Sequence, residues 1–272
     1  MTAMLKILSA EPNRIFSLSR FCDLFGSAKS SLSEDIDALQ KTVSQFGLGR
    51  VETVTGAAGG VRYRPEVRHK DACAFIRRLC DVLSGSDRVL PGGFLYYSDI
   101  LTNPVLTRRM GEIIATAYYQ DRPDFVLTME TMGIPVANAA AAALGVPLVI
   151  ARHTSRVYEG SAVNINYVSG SNGAIETMSL SRRAVKEGSR CLIVDDFLRG
   201  GGTAKGMRDL MREFNAQVVG MAFVMSTAVP EKKRISGEKS LMILSPIGEE
   251  DTSARIVPAP WLTAEANEER NH

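Results

Sequence analysis

Apolar residues recur at helical spacing along the start of the chain. A first helix is expected before Pro12, and a second over residues 18–25, where Ser17 or Ser19 can cap the start and Gly26 can end it. A third helix begins in a serine-rich stretch of potential caps. Its apolar face is formed by residues three or four positions apart, Leu32, Ile36, Leu39 and Val43.

Alternating apolar and polar residues then predict two hairpin strands, 51–55 and 61–64, joined by the glycine-rich turn 56–60. Three helices and a glycine-tipped hairpin are typical of a winged helix-turn-helix, whose third helix enters the major groove of DNA. Small hydroxyls and cations at the start of this helix and on the wing can reach phosphates or base edges. The candidate DNA contacts are Ser27, Lys29, Ser30, Ser31, Ser33, Gly59, Gly60, Arg62 and Arg64. The serines could also serve only as helix caps.

The pattern changes after residue 70. Residues 71–90 predict a linking helix, and the stretch 90–93 predicts a hinge or turn. Short apolar strands then alternate with helices, which is typical of a parallel sheet covered by helices. The expected strands are 125–128, 146–151, 191–194 and 218–224, and the expected helices include 105–119 and 134–144. The chain therefore divides into a winged helix-turn-helix domain, 1–70, and an α/β domain, 71–272.

Composition and charge add little to this picture. The net charge of +2 over 272 residues does not by itself predict a polyanionic partner. Residues 1–70 hold ten Lys and Arg against seven Asp and Glu, a mild basic excess that fits an end facing nucleic acid. Four cysteines without C-x-x-C spacing favour buried reduced thiols over a zinc site or disulfides. No stretch is apolar enough to span a bilayer, so we expect a cytoplasmic protein.

One expected strand runs into two aspartates and a glycine-rich loop. Residues 192–203 read Leu-Ile-Val-Asp-Asp-Phe-Leu-Arg-Gly-Gly-Gly-Thr. Ligands of such sheets bind beyond the carboxyl ends of the strands. Three glycines let the loop amides and the start of a helix near Ala204 approach a phosphate closely. Two carboxylates beside a phosphate make sense if they accept ribose hydroxyls or hold Mg²⁺ through water.

Other phosphate motifs fit this loop less well. A Walker loop needs Gly-Lys-Ser/Thr, whereas Lys205 is followed by Gly206. A dinucleotide fingerprint places its acid about twenty residues after the glycines, not directly before them. A plain tight turn would explain the glycines but not the paired acids.

The segment resembles the signature of type I phosphoribosyltransferases, and the resemblance extends over roughly 90–225. Residues 128–135 stand where that family has its pyrophosphate loop, and residues 163–180 resemble its hood hairpin. With the N-terminal part included, the whole chain is similar to the purine operon repressors of Gram-positive bacteria. Outside the phosphate motif, the stretches that carry this similarity are 27–35, 56–61, 90–93 and 159–161.

The resemblance implies a homodimeric DNA-binding repressor without transferase activity. Phosphoribosyl pyrophosphate (PRPP) would be its inducer, and a guanine alarmone nucleotide is a candidate competitor for the pocket. No tightly bound cofactor and no direct metal ligation by the protein are implied, and Mg²⁺ would accompany PRPP. The implied effector contacts are Thr131, Met132, Gly133 and Arg152 near pyrophosphate, Asp195 and Asp196 at the ribose, Leu198, Arg199, Gly200, Gly201, Gly202 and Thr203 at the 5′-phosphate, and Tyr96 and Phe197 on the base side.

At several positions this chain differs from the salvage enzymes or from the repressors that it resembles. Arg199 stands where salvage enzymes usually have Ala, which favours the repressor. Met132 and His153 stand where the repressors often have Lys. Losing these cations should weaken pyrophosphate binding, since each close cation–phosphate contact is worth ~1.5–3 kcal/mol. A basic run before the first helix is missing, so fewer DNA phosphate contacts are expected.

Two other functions remain open at this point. A purine phosphoribosyltransferase with an accessory domain would use the same pocket, because transfer relies on positioning and on stabilising pyrophosphate with Mg²⁺ rather than on a catalytic triad. An RNA-binding attenuator on the same core is disfavoured by the winged module and by the lack of an aromatic stacking face in residues 1–70.

Overall fold

The computed structural model describes residues 1–56, 59–155, 160–169, 173–248 and 251–264. Parts of the stretches discussed above, namely 57–58, 159 and 170–172, lie outside these residues. The described chain contains no helix with the length and apolar character needed to cross a bilayer.

The N-terminal part is a winged helix-turn-helix, as predicted. It consists of helices α1 (Thr2–Ala10), α2 (Leu18–Phe25) and α3 (Lys29–Gln45), followed by the antiparallel strands β1 (Arg50–Val54) and β2 (Gly60–Arg64). Phe16 adds a bridge to β2, since the backbones of Phe16 and Val61 exchange two hydrogen bonds of 2.9 Å. The helices enclose a small separate core with side chains from both strands, including Met4, Leu8, Phe21, Leu32, Ile36, Leu39, Val43, Val51 and Val61.

The capping residues predicted from the sequence are found at α2 but not at α3. Ser17 Oγ accepts a hydrogen bond from the Arg20 amide, and Gly26, with φ of 62°, ends α2 in the left-handed conformation. Ala28 precedes α3, and no side chain caps this helix. Ser27 Oγ instead donates to the Phe25 carbonyl and Ser33 Oγ to the Lys29 carbonyl. The expectation that the serines cap α3 was therefore wrong.

The linking helix belongs to the larger domain. Helix α4 (His69–Leu83) buries Ala72, Ile76 and Leu79 in the core of that domain. The expected turn at 90–93 is the tip of a small hairpin, β3 (Val89–Leu90) and β4 (Phe94–Leu95). Helices α5 (Ser98–Thr102) and α6 (Pro104–Tyr118) follow, and Asn103 caps α6 by accepting from the amides of Val105 and Leu106.

A six-stranded sheet forms the centre of the larger domain. Its strands lie in the order β12 (Ile256–Pro258), β11 (Lys239–Leu244), β10 (Gln217–Thr227), β9 (Arg190–Leu198), β5 (Phe125–Met129) and β6 (Leu148–Ala151). All neighbouring pairs are parallel except β11 with β12. The sequence predicted the parallel centre but missed β11 and the short antiparallel edge strand β12.

Helices cover both faces of this sheet. Helix α7 (Ile134–Leu144) connects β5 to β6 and lies with α4 and α6 on the face that receives Leu192 and Val194 of β9. Helix α8 (Gly202–Glu213) and a hairpin of β7 (Ala162–Val168) and β8 (Ile175–Ser181) lie on the face that receives Cys191 and Ile193. Alternate side chains of one strand thus supply both cores. The final described helix is α9 (Pro260–Thr263).

Close packing of α6 on α7 depends on Gly111. A Cβ at this position would lie 2.6 Å from the Cβ and carbonyl carbon of Ala139. We predict that Gly111→Ala destabilises the protein by about 1–3 kcal/mol, because overpacking outweighs the helix propensity that alanine adds. Urea denaturation followed by circular dichroism measures this change, and a variant as stable as the wild type or more so would contradict the packing described here.

Candidate functional site

The paired aspartates lie near the carboxyl end of β9, beside the carboxyl end of β5. The strand continues to Leu198 and so extends beyond Val194, where the sequence placed its end. Because side chains alternate along a strand, Asp195 and Asp196 point to opposite faces of the sheet. The two carboxylates therefore have different surroundings.

Asp195 lies beneath the stretch 131–133. Its side chain is buried, and Oδ1 accepts hydrogen bonds from the Asp196 amide at 3.1 Å and from Thr128 Oγ1 at 3.4 Å. A Cβ on Gly133 would collide with the same oxygen, so glycine lets this stretch approach the carboxylate. Burial and the nearby charge of Asp196 raise the pKa of Asp195 well above its ordinary value.

Asp196 is half-buried and faces an aromatic pair. The hydroxyl of Tyr97 donates to Asp196 Oδ2 at 2.8 Å, and the rings of Tyr97 and Phe197 lie 5.9 Å apart. Burial and the charge of Asp196 raise the pKa of Tyr97, so its hydroxyl stays a donor. Tyr96, predicted to border the base side, lies instead under the guanidinium of Arg88, 5.8 Å from its ring centre. Of this pair, Tyr97 is therefore the residue in contact with the paired aspartates, and the base-side role of Tyr96 stays a prediction.

The glycine loop turns from β9 into α8 with its amides unused. Gly201 takes φ of 78°, a left-handed conformation that favours glycine, and α8 begins at the next residue. Among the described residues, none accepts a hydrogen bond from the backbone N–H groups of residues 200–203. Four backbone donors at the start of a helix form an anion-binding arrangement, because the helix dipole adds partial positive charge.

Residues that the sequence did not single out hold this loop from behind. The ammonium group of Lys233 donates to the carbonyl oxygens of Arg199, Thr227 and Pro230 at 2.8–3.1 Å. The backbone N–H of Arg234 donates to the Gly200 carbonyl at 3.1 Å. The carbonyls of Arg199 and Gly200 are thus bound by residues 233 and 234.

The described residue Arg152, predicted to lie near the stretch 131–133, is engaged by a carboxylate. Thr131 and Met132 are exposed, and Gly133 is buried against Asp195. Arg152 is paired with Glu130 at 3.1 Å, and the His153 amide donates to the same carboxylate at 2.7 Å. Partial burial acts to raise the pKa of Glu130, but these two hydrogen bonds lower it overall. Glu130 therefore stays charged and neutralises Arg152.

The hood hairpin, predicted over 163–180, forms as β7 and β8. Tyr167 of β7 packs on α8 where Gly206 leaves room, since a Cβ there would lie 3.0 Å from the Tyr167 side chain. The Tyr167 hydroxyl donates to Glu176 at 2.7 Å. The hairpin is thereby attached to the helix that begins at the glycine loop.

A cavity of about 520 Å³ opens beside the aromatic pair, within the size range of small-molecule sites. Tyr97, Phe197, Arg199 and Phe94 are among its lining residues. The described residues contain no cluster of three or more His, Cys, Asp or Glu side chains that could hold a metal ion.

The predicted DNA contacts fall into two groups. Lys29, Ser30, Ser31 and Ser33 are exposed around the first turn of α3, and Ser27 just before it is half-buried. The wing residues are less accessible. Gly59 is half-buried, and Gly60 is buried where a Cβ would collide with the Phe16 carbonyl.

The two wing arginines are engaged within the protein. Arg62 is paired with Glu52 across the hairpin. Arg64 is only 13% exposed, and its Nε donates to Asn13 Oδ1 at 2.9 Å while its guanidinium lies 4.9 Å from the centre of the Tyr119 ring. Arg64 therefore joins the two domains, which does not fit its predicted role in DNA binding, and the burial of Gly60 does not fit such a role either.

Fold and site together define a winged helix-turn-helix domain fused to a phosphoribosyltransferase-type domain. The family model for the N-terminal domain of the bacterial purine repressor matches residues 1–65, and that of the phosphoribosyl transferase domain matches residues 97–255. Adenine phosphoribosyltransferase from Saccharomyces cerevisiae shares the fold with a TM-score of 0.53 at 20% identity, over 61% of this chain and 97% of that one.

Sequence relatives define the family more closely. The purine biosynthesis transcriptional repressor PurR of Bacillus subtilis is 42% identical over 255 residues, 94% of this chain and 90% of that protein. The purine biosynthesis transcriptional activator PurR of Lactococcus lactis is 38% identical over 231 residues, 85% of each chain. The chain belongs to the bacterial purine repressor family of transcriptional regulators.

The buried carboxyl group of Asp195 predicts a pH-dependent stability. Because its pKa is raised in the folded protein, the stability linked to it is fully present below the ordinary value of 3.8 and is lost as the pH rises through the folded pKa. Asp195→Asn stays neutral, so we predict that its stability relative to wild type increases from acidic to neutral pH in the absence of ligand. Urea denaturation across this range measures the difference.

Asp81→Asn, on the exposed face of α4, is the matched control, since it makes the same exchange away from the site. A difference between Asp195→Asn and wild type that stays constant with pH would show that the buried carboxyl does not change its protonation on folding.

Proposed function

We propose that the protein is a DNA-binding repressor of purine synthesis and transport genes, that PRPP releases it from its operator, and that it is not a transferase. The observation that carries the proposal is the row of four unused amides at residues 200–203, directly after the aspartate pair. These groups suit a sugar phosphate because the donors face the phosphate and Asp196 accepts ribose hydroxyls.

PRPP would extend from this loop to the stretch 131–133. Its 5′-phosphate would bind the amides of residues 200–203, and its pyrophosphate would lie against Thr131 and Met132. Mg²⁺ would arrive with the pyrophosphate and meet Asp196 through water. Since Met132 carries no charge and Arg152 is neutralised by Glu130, we expect weak binding of pyrophosphate.

The base side leaves room for a competing nucleotide. The cavity beside Tyr97 and Phe197 offers aromatic surface and the guanidinium of Arg199 at its edge. A guanine alarmone nucleotide would place its base there and its phosphates in the loop, and so would exclude PRPP.

The winged domain would bind operator DNA with the exposed first turn of α3. Lys29 would contact phosphate, and the serine hydroxyls would reach phosphates or base edges. A homodimer would present two such helices to consecutive half-sites. We favour repression over activation, although the relative from Lactococcus lactis is an activator.

Release by PRPP requires that the ligand favour the state that does not bind DNA, since equal affinity for both states would shift nothing. We predict that Asp196→Asn retains operator binding but remains bound at PRPP concentrations that release the wild type. Loss of a charged acceptor costs about 1.5–3 kcal/mol, so at least about tenfold more PRPP should be needed. Gel-shift titration at fixed salt with Mg²⁺ measures this, because DNA affinity depends on salt.

The amide of an asparagine at position 196 can still accept from Tyr97, so the variant keeps the local structure. Asp81→Asn should behave like the wild type. Normal release of Asp196→Asn by PRPP would refute the assignment of Asp196 to the ribose.

A purine phosphoribosyltransferase remains the second candidate, because the fold of the larger domain is that of the salvage enzymes. We predict no nucleotide formation when the protein is incubated with adenine, guanine, hypoxanthine or xanthine and with PRPP and Mg²⁺. Chromatography of the products decides the question, and steady formation of a nucleotide would establish an enzyme.

A further inference from the structure

One helix connects the proposed ligand site to the winged domain. Helix α7 begins at Ile134, directly after Gly133 of the stretch proposed for pyrophosphate, and ends at Leu144. Its eleven residues span about 16 Å at 1.5 Å per residue. The two ends of α7 are therefore held by two different parts of the molecule.

The start of α7 is hydrogen-bonded to the stretch 131–133. The Ile134 amide donates to the Thr131 carbonyl at 3.3 Å, and the Ala137 amide donates to the Gly133 carbonyl at 3.0 Å. Gly133 is confined by Asp195, so this stretch cannot move towards the sheet. A ligand that displaces residues 131–133 must therefore displace the start of the helix.

The end of α7 is held by Asn13 of the winged domain. Asn13 Nδ2 donates to the Leu144 carbonyl, one of the last carbonyls of the helix, at 2.8 Å. The backbone N–H of Asn13 donates to the Tyr63 carbonyl of β2 at 2.8 Å, and its Oδ1 accepts from Arg64. Asn13 thus connects the end of α7 to the wing.

A second set of contacts, made by Arg64 and Tyr119, also connects the wing to the end of α7. The guanidinium of Arg64 lies over the Tyr119 ring, and the Tyr119 hydroxyl donates to the Ala143 carbonyl at 3.1 Å. A cavity of about 910 Å³ lies beside these residues, between the two domains. This space beside the joint would let a small shift of the helix change the angle between the domains.

We propose that Asn13 is the positioning residue through which a ligand at residues 131–133 changes the DNA affinity of the winged domain, with α7 as the rigid connection. The inference rests on the proposed function and names its route of regulation. Asn13 touches neither ligand nor DNA in this scheme; it determines how the two binding equilibria depend on each other.

Asn13→Gly tests the proposal. Asn13 has φ of 65°, so glycine keeps the backbone and removes only the side chain that reaches Leu144 and Arg64. Asn215→Gly is the matched control. Asn215 also has a positive φ, 52°, and its Nδ2 donates to Glu187 at 3.0 Å in the larger domain, away from the joint.

Three quantities are measured for each full-length protein: PRPP affinity without DNA, by calorimetry; affinity for a genomic DNA fragment selected by wild-type binding, without PRPP; and the same DNA affinity with saturating PRPP and Mg²⁺. The wild-type ratio of the two DNA affinities should lie in the usual range of allosteric coupling, about 5- to 150-fold. In Asn13→Gly the two separate affinities should stay within about twofold of wild type while the ratio falls at least about threefold. Asn215→Gly should keep the wild-type ratio.

The outcomes separate this inference from the proposed function. The proposed function, and the coupling with it, would be overturned if the wild-type protein bound no PRPP. It would also be overturned if the DNA affinity of the wild type did not change when PRPP is added. Wild-type regulation together with an unchanged ratio in Asn13→Gly would overturn the role of Asn13 alone. An equal fall of the ratio in Asn215→Gly would do the same, since it would show a general effect on stability.

Discussion

Backbone donors at the turn from β9 into α8, which find no acceptor in the described part of the chain, are the constraint on which the site depends. Several such donors at the start of a helix favour an anion there, because the helix dipole adds partial positive charge to the N–H groups. The arrangement requires a left-handed Gly201, and it requires Lys233 and Arg234 to hold the loop carbonyls on the other side. The neighbouring aspartates do not cancel the attraction, because Asp195 is buried with a raised pKa and Asp196 lies beside a tyrosine donor.

Local signals in the sequence were sufficient for much of this structure. Helices α2 and α7 have the expected boundaries, since a capping serine, a final glycine and an alanine-rich apolar run determine them locally. The glycine loop was predicted as well, because its three consecutive glycines and the two aspartates before them are visible in the local sequence. Strand β12 was missed because a short edge strand is stabilised by its neighbour in the sheet and carries little pattern of its own. Strand β11, an interior strand of the sheet, was missed as well. The choice between Tyr96 and Tyr97 also depended on tertiary structure, since adjacent residues face opposite ways.

Contacts between distant parts of the chain explain the other differences. Lys233 lies more than thirty positions after the loop that it supports, and no local spacing indicates this contact. Arg64 was assigned to DNA from its place on the wing, but its neighbours are Asn13 and Tyr119, so it belongs to the joint between the domains. The wing and the end of α7 are connected through these same side chains.

Nuclear magnetic resonance of the full chain labelled with ¹⁵N-glycine tests the central claim most directly. The account predicts that the amide signals of Gly200, Gly201 and Gly202 move on addition of PRPP and Mg²⁺, and that ribose 5-phosphate moves the same signals at higher concentration. Signals of Gly26 in the winged domain and of Gly188, just before the start of β9, should not move. Binding of PRPP that leaves the three loop amides unchanged would contradict the account, since the phosphate would then be held elsewhere.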